Sequence, residues 1–101
     1  MKVIEINESE FSSKIKSGKV LVDCYADWCG PCKMLSPIID EVAKDNNTCS
    51  FYKLNVDDNE KIAREYGIMS IPCIIYFKDG KEVSRSVGLV SKDDLLKIVG
   101  E

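Results

Sequence analysis

Histidine is absent from this 101-residue chain. That absence excludes the Ser-His-Asp and Cys-His catalytic arrangements and every metal site built on imidazole. Long apolar runs are also missing: nothing approaches the roughly 18 residues of a membrane span. Met1 to Asn7 carries Glu5 and has no apolar stretch, so it does not read as a secretory signal. Basic charge is in short supply, with 14 Lys and Arg against 17 Asp and Glu and a net charge of −3. Nucleic acid is therefore not an expected partner, because phosphate binding needs a basic stripe. Chemistry, if there is any, must run on cysteine, carboxylate and lysine.

Cysteine itself is present in an uneven number, five. These make about 5% of the chain, below the roughly 8–10% of small disulfide scaffolds. An odd count cannot pair fully within one chain. A reducing, cytoplasmic compartment with a few working thiols is expected. The length allows one domain, residues 1–101, and an apolar share of 45% suits a packed core rather than a disordered chain.

The pattern along the chain alternates strands and helices. Lys2 to Ile6 alternates polar and apolar residues, as a strand does. Asn7 followed by Glu10 is a capping-box pattern, with Phe11 and Ile15 one turn apart and Gly18 as the stop. Val20 to Tyr25 is nearly continuously apolar, which suits a central strand covered on both faces. After Pro31, the residues Met34, Leu35, Ile38, Ile39, Val42 and Ala43 share one helix face, and Pro37 within that run predicts a kink. Phe51 to Val56 reads as a strand, and Asn59 to Tyr66 as a short helix closed by Gly67. Cys73 to Phe77 and Glu82 to Val87 flank Asp79-Gly80, a hairpin signal. Ser91, with Asp94 three residues on, caps a last helix. The expected order is β-α-β-α-β-α-β-β-α. Early strands joined through helices should be parallel with right-handed crossovers, and the final hairpin should add an antiparallel edge. The fold class is α/β, a three-layer sandwich.

Trp28-Cys29-Gly30-Pro31-Cys32 falls between the buried strand and the helix that follows it. A C-x-x-C in a βαβ setting is a dithiol/disulfide redox motif. Cys29 would sit at the helix N-terminus, where unpaired N–H groups and the macrodipole favour an anion. Lowering a free thiol's pKa of roughly 8.5 by about 1.5 takes about 2 kcal/mol. That is the most a helix terminus supplies, so the Cys32 thiol is expected to donate to the thiolate as well. The competing reading, half of a zinc site, lacks a second C-x-x-C and any His.

The segment Val22-Asp23-Cys24-Tyr25-Ala26-Asp27-Trp28-Cys29-Gly30-Pro31-Cys32-Lys33-Met34 resembles the active site of the thioredoxin family. The resemblance extends through Pro37, Lys53-Leu54-Asn55-Val56-Asp57, Tyr66-Gly67-Ile68, Ile71-Pro72 and Val87-Gly88, essentially the whole chain. It implies the thioredoxin fold, a central mixed five-stranded sheet flanked by four helices, acting as a monomer. It also implies a protein-disulfide reductase with no bound cofactor, whose partners are disulfide-containing client proteins and a separate NADPH- or ferredoxin-linked reductase. Residue by residue, Cys29 would be the attacking thiolate and Cys32 the resolving thiol. Asp23 would be the buried proton acceptor for Cys32, with Lys53 as its ionic partner. A charge inside an apolar strand is costly without a partner or a task, which supports the role of Asp23 independently. Pro72 would be a cis-proline beside which a client chain pairs in extended form. Trp28, Gly30, Pro31, Ile71, Pro72, Val87 and Gly88 would form the docking surface. Oxidant relatives carry a His between the cysteines that stabilises the reduced form, and its lack here points to a reductant.

The chain departs from the family at three positions. Tyr25 stands where Trp is common, Cys24 where Phe is usual, and Cys73 where Thr or Val is usual. Cys49, before the third strand, is expected to be exposed. Cys73 would bring a third sulfur near the motif, or be a small buried hydrophobe. Two other readings stay open: a metal or iron–sulfur protein using Cys29, Cys32 and Cys73, and a binding subunit that docks partners without redox turnover.

Overall fold

A computed structural model describes residues 1–101. Five strands and four helices follow in the order β1 (Val3–Glu5), α1 (Glu8–Ile15), β2 (Lys19–Tyr25), α2 (Gly30–Lys44), β3 (Cys49–Asn55), α3 (Glu60–Glu65), β4 (Cys73–Lys78), β5 (Lys81–Val87) and α4 (Lys92–Val99). Local chemistry sets most of the boundaries. The Asn7 side chain accepts from the N–H groups of Ser9 and Glu10, and the Glu10 carboxylate accepts from Asn7 N, which completes the capping box at α1. Ser91 caps α4 by accepting from Asp94 N at 3.1 Å. Asp79 and Gly80 turn the β4–β5 hairpin at φ 51° and 85°, the left-handed pair that a two-residue type I′ turn requires. Pro37 lies inside α2, which continues through it to Lys44.

The sheet order is β1-β3-β2-β4-β5. β1 and β2 both run parallel to β3, whereas β4 is antiparallel to β2 and β5 antiparallel to β4. The early strands β1, β2 and β3 are thus parallel, as expected, and the final hairpin joins them antiparallel through β4. The α3 link has only six helical residues and is followed by a loop through the cis Ile71–Pro72 peptide. That connection turns the chain back alongside β2 instead of carrying it over the sheet.

Two packed layers cover the sheet, and the period of two in each strand sorts residues between them. Val20, Val22 and Cys24 of β2, with Cys73, Ile75 and Phe77 of β4, pack with Phe11 and Ile15 of α1 and Ile62 of α3. Leu21, Phe51, Ile74 and Tyr76 pack on the other face with Leu35, Ile39 and Val42 of α2 and Leu95 and Val99 of α4. The rings of Phe11, Tyr66 and Phe77 meet at centroid distances of 5.2–5.8 Å, two of the three pairs edge to face. Burying one such side chain fully contributes about 1.5–3 kcal/mol.

Cys49 departs from its expected exposure. It is buried, not exposed, with 1% of its surface accessible. β3 begins at Cys49, two residues earlier than the apolar run indicated, and pairs it with Lys19. That register puts its side chain on the Phe51 face beneath α2 and α4. Its sulfur donates to Ser50 O at 3.4 Å, and burial pushes the thiol up to about 11.

Candidate active site

Cys29 and Cys32 close a disulfide at the start of α2, with Cα atoms 5.3 Å apart. Cys29 is the N-cap, in extended conformation, and its sulfur accepts from Cys32 N at 3.2 Å. Pro31 lies in the first turn of α2, where it brings no N–H of its own to a helix end that already has orphan donors. The Cys32 amide is thus aimed at the Cys29 sulfur. In the reduced protein this same donor and the helix dipole favour a thiolate there. Cys29 and Cys32 are each 4% exposed and pack against Ala26, Tyr25, Val56 and Ile71.

Below the pair, a cavity of about 150 Å³ is lined by Asp23, Tyr25, Ala26, Asp27, Cys32, Lys33, Ser36 and Lys53. That is room for several waters. Asp23 is 4% exposed, and its Oδ1 has no hydrogen-bond partner in the chain. Burial raises its pKa from 3.8 to about 7, against the opposing charge of Lys53 and with a smaller push from Asp40. A carboxyl poised near neutrality can exchange a proton at physiological pH.

Lys53 supplies the charge that opposes the shift at Asp23. It stands directly opposite Asp23 in the β2–β3 register, yet the two make no contact ion pair. Its ammonium lies 5.9 Å from the centroid of the Tyr25 ring. A long aliphatic stem carries the charged head over that ring, while Lys53 and Asp23 line the same cavity. Lys53 therefore acts on Asp23 through the field across the cavity.

Around the disulfide, Trp28 is 70% exposed and Val87 59% exposed. Gly30 and Pro31 are exposed, and Ile71 and Gly88 are half-buried. Pro72 is buried, so it shapes this surface from beneath instead of lining it. The Ile71–Pro72 peptide is cis, and Pro72 O accepts from Gly88 N at 2.8 Å. The N–H and C=O of Ile71 have no partner within the chain.

Several residues at the site were not singled out from the sequence. Asp57 Oδ2 accepts from Trp28 Nε1 at 2.8 Å and pins the indole; Asn55 in turn accepts from Asp57 N at 2.9 Å. Ser36 and Asp40 follow Cys32 at successive intervals of four, one face of α2, so helical spacing could have found them. Cys73 does not join the Cys29–Cys32 cluster; it packs with Cys24 on the other face of the sheet. No group of three or more Cys, Asp or Glu is placed to hold a metal ion. No helix is long and apolar enough to cross a membrane.

Residues 2–101 match the thioredoxin family model. A thioredoxin of Chlamydia muridarum is 46% identical over 96 residues, which cover 95% of this chain and 94% of that protein. A thioredoxin of Staphylococcus epidermidis is 44% identical over 100 residues, 98% of this chain and 96% of that protein. Among solved structures, a mutant thioredoxin from Halobacterium salinarum superposes with a TM-score of 0.89 at 33% identity, covering 97% of this chain and 88% of that one. Thioredoxin of Malassezia sympodialis gives the same TM-score at 30% identity, covering 99% and 92%.

Proposed function

The chain belongs to the thioredoxin family and is a thiol-disulfide oxidoreductase, a protein-disulfide reductase, and we propose the following division of labour among its residues. Cys29, as thiolate, attacks one sulfur of a client disulfide; the client's S–S bond breaks and a mixed disulfide forms. Asp23, ionised, takes the Cys32 proton across the shared cavity. Cys32 then attacks the Cys29 sulfur, the mixed disulfide breaks, and the client leaves with both sulfurs reduced. Two electrons have passed from the dithiol to the client, and the Cys29–Cys32 disulfide remains. Lys53 tunes Asp23 through its charge.

The observation that carries this assignment is the arrangement at the α2 N-terminus. A disulfide lies on the helix cap, beside a cavity lined by a buried carboxylate with its pKa raised to about 7. The unpaired Ile71 backbone beside it supports docking of an extended client segment by strand-like pairing. Trp28, Gly30, Pro31, Ile71, Val87 and Gly88 would flank that segment, with Pro72 holding the loop. The clients are disulfide-containing proteins, and a separate NADPH- or ferredoxin-linked reductase returns the electrons. The 101 residues act as one domain and as a monomer, in the cytoplasm.

The test separates the two cysteines. Cys32→Ser should accumulate covalent complexes with client proteins on non-reducing gels, released by dithiothreitol, whereas Cys29→Ser should form none. Disulfide reduction by Cys29→Ser at the parent rate would overturn the assignment.

A further inference from the structure

Cys24 and Cys73 take no part in this exchange, yet the sheet places them side by side. Cys24 of β2 is directly opposite Cys73 of β4 in the antiparallel ladder. Both are free thiols, 0% and 1% exposed, in the layer covered by α1 and α3. Residues opposed in this way have Cα atoms about 4.5 or 5.5 Å apart, according to their place in the hydrogen-bond pattern. A disulfide spans Cα separations of about 4.4–6.8 Å. Either place in the ladder is therefore within bridging range.

We propose that Cys24 and Cys73 form a second redox site, a cross-strand dithiol that a small peroxide oxidises to a disulfide. Cys73, as thiolate, attacks one oxygen of hydrogen peroxide. The O–O bond breaks, Cys73 becomes a sulfenic acid, and the released hydroxide combines with the thiol's proton as water. Cys24 then attacks the sulfenic sulfur; the S–O bond breaks, the S–S bond forms, and a second water leaves with the Cys24 proton. Two electrons pass from the two sulfurs to the peroxide.

Arg85 makes Cys73 the first attacker. It stands opposite Ile75 on β5, on the same face as Cys73. Its guanidinium is held by Tyr66 O at 2.6 Å and by Glu82 at 2.9 Å. Burial pushes both thiols up, and the Arg85 charge is the main influence pulling Cys73 back down. The burial also selects the oxidant: only a small molecule reaches these sulfurs, when the edge strand β5, which pairs Val87 with Cys73, opens locally. The pair holds two electrons apart from the Cys29–Cys32 site, which lies in a separate packed cluster.

The reduced native chain is exposed to hydrogen peroxide, blocked, digested with trypsin and mapped by mass spectrometry without reduction. The expected product joins the peptide of residues 20–33 to that of residues 65–78, with Cys49 in residues 45–53 still a free thiol. Cys29→Ser/Cys32→Ser should give the same link, which distinguishes it from exchange with the active-site pair. The same oxidation in concentrated urea supplies the contrast. There the loop from Cys24 to Cys73 is about twice as long as either loop closed by Cys49, so it should form about threefold less often than each. A native chain that keeps Cys24 and Cys73 as thiols, overoxidises them singly, or links them to Cys49 as the unfolded chain does overturns the proposal.

Discussion

Replacing Asp23 by Asn should stabilise the oxidised protein, and by an amount that depends on pH in a specific direction. The Asp23 carboxyl is 4% exposed with Oδ1 unpaired, and burial lifts its pKa from 3.8 to about 7. In the unfolded chain it ionises near 3.8; in the native protein it holds its proton to near 7. Between those values the native state binds more protons than the unfolded state, so stability falls as pH rises. The slope is at most about 1.4 kcal/mol per pH unit, and the loss levels off above pH 7 at about 4 kcal/mol. Asn carries no proton to lose and keeps the side chain's shape. The advantage of Asp23→Asn over the parent should therefore be absent or constant below pH 4, grow between pH 4 and 7, and reach about 4 kcal/mol at pH 8. Urea unfolding of both proteins at a series of pH values measures the difference directly. A difference that does not change between pH 4 and 8 would mean that Asp23 titrates like a solvated carboxyl, and its role as proton acceptor for Cys32 would fall with it.

Two smaller predictions test the surroundings. Lys53→Met removes the positive charge that holds the Asp23 pKa down, so the pH at which stability stops falling should move upward, read from the same urea series. An unmoved midpoint would show that the field across the cavity is screened by water. Asn7→Ala removes the acceptor for two helix-terminal N–H groups at α1 and should lower stability by about 1 kcal/mol, measured by urea unfolding. No change would mean that tertiary packing of Phe11 and Ile15 alone holds that terminus.

The active-site pair and its setting were legible because their signals are local. Two cysteines three apart, a Pro in the first helical turn and a buried strand just before them are all close in sequence. The same holds for the Asn7–Glu10 capping box, for Asp79-Gly80, and for the apolar spacing of α2. Cys49 was misjudged because its polar neighbours Asn46, Asn47 and Thr48 suggest a loop, while the burial comes from pairing with Lys19 on a distant strand. Lys53 is legible as the charge that faces Asp23, though the two make no contact ion pair. Register makes it a neighbour of Asp23, but a flexible stem and hydration decide where its charge rests. Asp57 stood within the resemblance and still went unassigned, since its bond to Trp28 spans 29 residues.

What the sequence alone determined is the dithiol chemistry and the succession of nine elements, because helix and strand periods, caps and turn residues act over a few neighbours. The strand order β1-β3-β2-β4-β5 and the reversal of β4 belong to the tertiary structure. They depend on pairing segments far apart in the chain, and no local pattern specifies such a register. That register sets Asp23 opposite Lys53 over a shared cavity and gives the buried carboxyl its pKa near neutrality. It also sets Cys24 against Cys73, two of the three leftover thiols, on the opposite face of the sheet.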